Sequence, residues 1–333
     1  MKLSLFKSLV QFSVIPALLA AAASAPAAQL STDARGAIPH DVQQLVVIDY
    51  RAMQNSDAAM ALRERVMPPE LKAFDEALKK TALSDQGSMD QYVDELAFAL
   101  FRPPASGGAA SASASENLMT VGIAQGQFPM QDILARFNKQ KLKPSMVRTN
   151  SIYPMTKAGM VLCFVDPSTM VFGDKEAVTK ALDARDGLTP SMLSNSGMMS
   201  AMQSVDSNPL WSILDEKGTQ TMMQQLLGEA GSTTDIVTVS KKLESSWYSM
   251  DFQHGVKFAL TISTADPFTA ATLSSLMTAA VTVRKMTSSD AEKTALNDTA
   301  ISSSAGQLNI AFSSTDSEFS SLLHSPLFET MVR

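Results

Sequence analysis

Residues 247–264 read WYSMDFQHGVKFALTIST, and the reading of this stretch decides the fold. Tyr248, Met250 and Phe252 fall on alternate positions, as do Val256, Phe258, Leu260 and Ile262 after the His254-Gly255 turn. Ser249, Asp251, Gln253, Lys257, Thr261 and Ser263 stand between them. A period of two with one apolar and one wet side predicts an antiparallel hairpin packed on a single face. Leu308, Ile310 and Phe312 repeat the pattern, as do Leu96, Phe98 and Leu100.

Working outward, a helical stretch follows this hairpin at once, with Asp266 as its cap and Pro267 just inside. An aspartate oxygen accepts the free amide hydrogens of a first helical turn, and proline loses nothing there. The same order recurs three more times. Strands within 95–126 precede FPMQDILARFNKQ, with Pro129 at the first helical position and Ile133, Leu134 and Phe137 on one side. MVLCFV-DPST-MVFG precedes a helix capped by Asp174, and TAISSS-AGQ-LNIAFSS precedes a helix capped by Asp316. Four repeated β-β-α units predict an α+β protein: antiparallel sheets with helices covering one face, in two similar halves, 40–187 and 188–333. A helix beginning at Pro69 stripes Leu71, Phe74 and Leu78, a second helix is expected from Pro209, and LVVIDY (45–50) reads as the first strand. Residues 102–117, dominated by Pro, Gly, Ala and Ser, read as a disordered hairpin loop.

The second unit, MVLCFVDPSTMVFGDKEAVTKALDARDG (160–187), carries a Gly-Asp-Lys that superficially suggests a phosphate loop. Such a loop needs several glycines and free amides, whereas Gly173 stands alone and Asp174 puts negative charge where phosphate would sit. Cys163 lies mid-strand among apolar neighbours and reads as a small core residue. This run resembles segments of uncharacterised exported bacterial proteins of the domain-of-unknown-function kind. The resemblance extends over 40–333 and implies fold and export, with no activity or functional residue attached.

The N-terminus supports export independently. Lys2 and Lys7 precede an apolar run over 8–23, and Ala25-Pro26-Ala27 offers a small-x-small cleavage site, so 1–27 read as a secretory signal peptide. The run is too short to span a bilayer and is interrupted by Pro16. No later stretch is apolar for long enough, so no membrane span is expected after cleavage, and the location is periplasmic or extracellular. Losing Lys2 and Lys7 takes the formal net charge from −6 to −8. An acidic chain without a basic cluster does not suit nucleic acid. The lone cysteine excludes an intramolecular disulfide, and about 300 residues can bury a core without one.

Catalytic chemistry is sparsely represented. His40, His254 and His324 are the only histidines, with no HExxH, HxH or CxxC spacing, so no metal site or cofactor is implied. Asp251 and His254 could join a serine in a triad, but no GxSxG elbow supports one. Asp49, at the end of the first strand beside Arg51, is either a buried ion-pair carboxylate or a solvent-facing strand end. Methionine is the unusual element, at 21 residues, with Met198, Met199, Met202, Met222 and Met223 close in sequence. They fill a core, or form an adaptable surface for an apolar ligand or protein partner, or supply thioethers for Cu(I) through Met199 and Met202. The expectation is a non-enzymatic envelope protein binding an apolar ligand or a partner through those five methionines. A hydrolase with dispersed residues is the alternative, and Cu(I) binding a further one.

Overall fold

A computed structural model describes residues 29–67, 69–81, 91–102, 118–227 and 238–325. The expected signal peptide and nearly all of the expected disordered loop lie outside them. The protein is α+β, and in place of several sheets it has one antiparallel sheet of twelve strands, ordered β11-β12-β10-β9-β8-β1-β2-β3-β7-β6-β5-β4. The strands are β1 (Val42–Asp49), β2 (Val93–Phe101), β3 (Met119–Gly126), β4 (Ser145–Val147), β5 (Asn150–Pro154) and β6 (Met160–Asp166). They continue with β7 (Thr169–Asp174), β8 (Leu210–Leu214), β9 (Leu243–Asp251), β10 (Val256–Thr264), β11 (Thr299–Ser304) and β12 (Gln307–Ser314).

The 247–264 hairpin forms as β9 and β10, with Leu260 opposite Tyr248 and Phe258 opposite Met250. Val256, Leu260 and Ile262 are buried, and the Tyr248 and Phe258 rings lie 5.9 Å apart. Gly255 has φ +80°, and a Cβ there would come within 2.4 Å of the Ser314 carbonyl oxygen, so the turn is doubly restricted to glycine.

The following α-helices lie among the described residues, with a short 3-10 helix at Met192–Ser194. They are α1 (Thr32–Gly36), α2 (Tyr50–Met53), α3 (Asp57–Val66), α4 (Pro69–Thr81), α5 (Met130–Lys139), α6 (Lys175–Arg185), α7 (Ser196–Gln203), α8 (Glu216–Leu227), α9 (Pro267–Thr287), α10 (Asp290–Asn297) and α11 (Asp316–Leu323). Asp266 caps α9 as expected, accepting from the Thr269 amide at 2.8 Å. The true cap of α11 is Thr315, in a reciprocal capping box with Glu318, and Asp316 is the first helical residue. Asp174 occupies the cap position of α6 without a side-chain hydrogen bond, and Pro129 is the cap residue of α5 rather than its first helical one.

Helices do not keep to one face. On β7, Val171 points into a core with Ala177, Val178, Ala181 and Leu182 of α6, and with α1 and α7. Met170 and Phe172 point the other way, toward Phe74 and Leu78 of α4 and Ile133 and Phe137 of α5. Two further clusters lie on that second face, built on α3 and α11 and on α8 and α9. The helix expected from Pro209 is therefore the strand β8. Trp211 and Ile213 face α7, Leu210 and Leu214 face the opposite layer, and all five residues are buried. Burial on both sides removes the period-two signal and leaves a continuous apolar run. Ser212 in its middle accepts a hydrogen bond from Gln44 Nε2 at 3.3 Å.

Phe172 packs directly over Gly122, its cross-strand partner. Phe74 stacks on its ring at 4.6 Å and Phe98 meets it edge-on at 6.1 Å, so the ring is held from both sides. A Cβ at 122 would stand 2.3 Å from the ring. Gly122→Ala is expected to cost about 2–3 kcal/mol by overpacking. Gly197→Ala, in an exposed turn of α7 with no atom closer than 3.7 Å to the new carbon, should be neutral or stabilising by up to about 1 kcal/mol. Urea midpoints of the two variants check both signs.

Candidate functional site

Cross-strand pairing fixes which side chains share a face. Leu260 pairs with Tyr248 and Ile310, so Ser249, Ala259, Thr261, Asn309 and Ala311 all lie on the other side. Across β9, β10, β12 and β11 no apolar cluster of the described residues covers that side. Lys257, Ala259, Ala300, Ser302, Ala311 and Ser313 are exposed on it, and Thr261 Oγ1 bonds Asn309 Oδ1 at 3.0 Å. Trp247, opposite Ile213, marks where the helix-covered part of this face ends.

A shallow trough of about 430 Å³ runs over this open region. Alanines 259, 300 and 311 and serines 249 and 313 form its floor, and Asn208, Asp251, Lys257 and Asp298 supply its polar and charged groups. Asp251 and Lys257 are direct cross-strand partners. Small side chains on a pleated surface leave a broad footprint with backbone close to the surface, bordered by charges of both signs. Such a surface complements a polypeptide of mixed polarity better than an apolar small molecule, which needs an enclosed, apolar-lined cavity. The wet alternate positions of 247–264 were the signal for this face.

The five methionines divide between the two faces of the sheet. Met198 and Met202 on α7 are buried in the core that contains Trp211, and Met199 is half-buried against it. Met223 on α8 is fully buried on the opposite face with Leu260 and Ile262, and Met222 is half-buried beside it. The structure brings the first three together and separates them from the other two by the thickness of the sheet.

The three histidines occupy an exposed loop before β1, the β9–β10 turn and the end of α11. His40 bonds Asp41 at 2.9 Å and His324 bonds the Ser320 carbonyl at 2.8 Å, both local contacts. Asp251 accepts from the Gln253 amide within its own turn. Cys163 is fully buried, and burial pushes its thiol up to about 11, against thiolate chemistry. Among the described residues no group of three or more His, Cys, Asp or Glu is placed to hold a metal ion.

Asp49 is neither solvent-facing nor paired with Arg51. It is buried and caps α2, accepting from the Ala52 amide at 2.7 Å, while Arg51 pairs with Asp94. Burial raises the Asp49 carboxyl above its usual range. Its cross-strand partner Glu95 accepts from the Gln29 amide at 3.0 Å. Burial, reinforced by the charges of Asp49 and Asp94, pushes Glu95 from its ordinary 4.5 up to about 7. The folded state therefore holds this proton more tightly than the unfolded chain. The resulting stability is complete below about pH 4.5 and is lost as pH rises through 7. Glu95→Gln keeps the acceptor for Gln29 and removes the titration. It should be more stable than the parent by about 1–2 kcal/mol at pH 8 and equal to it near pH 4. Denaturant midpoints across that range check the prediction, and parallel curves would refute it.

No protein-family model matches the chain, and no curated protein does. Among solved structures it is similar to the Treponema protein TP0453 in crystal forms I, III and IV, at 9% identity. The TM-scores are 0.47, 0.49 and 0.47, with 87%, 89% and 87% of this chain and 95%, 99% and 95% of the other covered.

Proposed function

We propose that the chain is an exported, non-enzymatic protein of the cell envelope that binds a protein partner on the open face of β9, β10, β12 and β11. The observation that carries this reading is the polar side of those four strands, which no helix among the described residues covers, with its alanine and serine floor and its Asp251, Lys257 and Asp298 border. Export rests on the order of Lys2 and Lys7, apolar run and small residues at the N-terminus. The apolar-ligand form of the reading would use Met199 and Met222, whose side chains are half-buried, and it is the weaker form because they lie on opposite faces. We also infer that 40–187 and 188–333 are two versions of one unit. Outward from the β1–β8 junction the order is β2, β3, β7, β6 on one side and β9, β10, β12, β11 on the other, which supports that view.

A photo-crosslinking amino acid at Ala259 or Ala311, introduced in the native host, tests the binding surface. A discrete protein adduct is expected from these positions and not from exposed Asp290 on α10. Equal labelling from all three positions, or no adduct from any, would overturn the proposal. Fractionation with N-terminal sequencing of the mature chain tests export separately.

A further inference from the structure

The two edges of the sheet are finished differently. Beyond β5, the edge strand β4 has three residues, preceded by Lys143-Pro144 and followed by Arg148. Shortness, charge and proline are the ordinary protections of an edge against pairing with another chain. The edge strand β11 is TAISSS, six residues with no charge and no proline. It pairs with β12 without a bulge, and no strand among the described residues pairs with its outer side.

The helix α9 packs over this same end of the sheet, against β11, β12 and β10. Leu273 faces the core, and the opposite stripe faces out. Phe268, Val283 and Met286 are 78%, 64% and 77% exposed, the three most exposed large apolar side chains among the described residues. The outward stripe contains no charged residue. It is also matched about its own centre: Phe268 and Met286 lie equally far from position 277, as do Thr272 and Thr282, and Ser275 and Ala279. Large residues occupy both ends, and a shallow hollow over Ser275 and Ala279 occupies the middle. Laid antiparallel on a copy of itself, the stripe sets each Phe268 beside a Met286 and lets the backbones approach at the small residues. A two-fold interface requires this kind of self-complementarity.

We propose that β11 and α9 together form a homodimer interface, with the two β11 edges pairing antiparallel and the two α9 helices packing antiparallel beside them. A stripe of about 27 Å on each helix and a six-residue strand pair bury on the order of 1,200 Å² in total, at the low end of what a specific dimer needs. A weak, concentration-dependent dimer is the expectation at this size. The uncharged patch lets the acidic chains meet without placing like charges in contact.

Sedimentation equilibrium of the full mature chain tests the proposal. A concentration-dependent monomer–dimer equilibrium is expected. Ser302→Lys, which places a charge on the edge strand, and Ala279→Arg, which places one in the centre of the helix stripe, should each weaken it at least tenfold. Both sites are exposed, so thermal midpoints should stay within a few degrees of the parent, and Ser145→Lys on the other edge should leave the dimer unchanged. For orientation, Phe268→Cys mixed with Met286→Cys should give an intermolecular disulfide that neither variant gives alone. A monomer at all concentrations to about 100 μM, or a dimer indifferent to both substitutions, would overturn the proposal. Neither result bears on crosslinking from Ala259, so the two surfaces are tested separately.

Discussion

The pairing of β1 with β8 holds the molecule together. Leu45 lies opposite Ile213 and Val47 opposite Trp211, joining strands far apart in the chain into one sheet. Trp211, Ile213, Leu45 and Val47 are fully buried, and each such side chain is worth about 1.5–3 kcal/mol. Helices α1 and α7 roof this junction on one side. The backbone fastens them to one another, with the Met192 amide bonded to the Ile38 carbonyl and the Asn195 side chain to the His40 carbonyl. On the other side α8 approaches β1 so closely that a Cβ at Gly218 would stand 2.6 Å from the Gln43 carbonyl oxygen. Arg102 and Asp215 pair at 3.1 Å at the margin of the same junction.

From that centre the sheet changes character toward its ends. The middle is a two-sided sheet between helical layers, which is why β7 is buried at every position but Asp174 and β8 at all five. Beyond β8 the covering on one face stops, and the strands alternate between apolar and polar residues. The functional readings follow from that change. The open face offers small residues and mixed charge, and the edge beyond it has an unprotected strand and a helix with no charge on its outer stripe. Met198, Met202 and Met223 lie inside the layers, where their flexible side chains fill gaps around Trp211 on one face and Leu260 on the other.

How much of this the sequence revealed depends on burial. The hairpin at 247–264 was legible because one of its faces is wet, so composition and period agree. β8 was misread because two buried faces erase the period, and LWSIL behind a proline then looks as helical as it does extended. The α11 cap was within reach: Thr315-x-x-Glu318 is a capping box, and the more familiar aspartate start obscured it. The setting of Glu95 includes the Gln29 amide, a contact across 66 residues that no local pattern announces. Nor does nearness in sequence tell that Met198, Met199 and Met202 lie on one face of the sheet and Met222 and Met223 on the other, with β8 passing between them. The contrast between the two edges requires the strand order, which lies beyond any reading of separate segments.

The central pairing also governs the order of folding events. Gln44 meets Leu214 some 170 residues later in the chain, a closure whose entropy is lost before any contact compensates it. Hairpins such as β2–β3 and β9–β10 are local and can form within microseconds. Until the distant partners find each other, β1 can pair with β2 and β8 with β9, but each keeps one flank bare. Such bare flanks are the kind of surface that makes a half-assembled chain prone to stick to its neighbours.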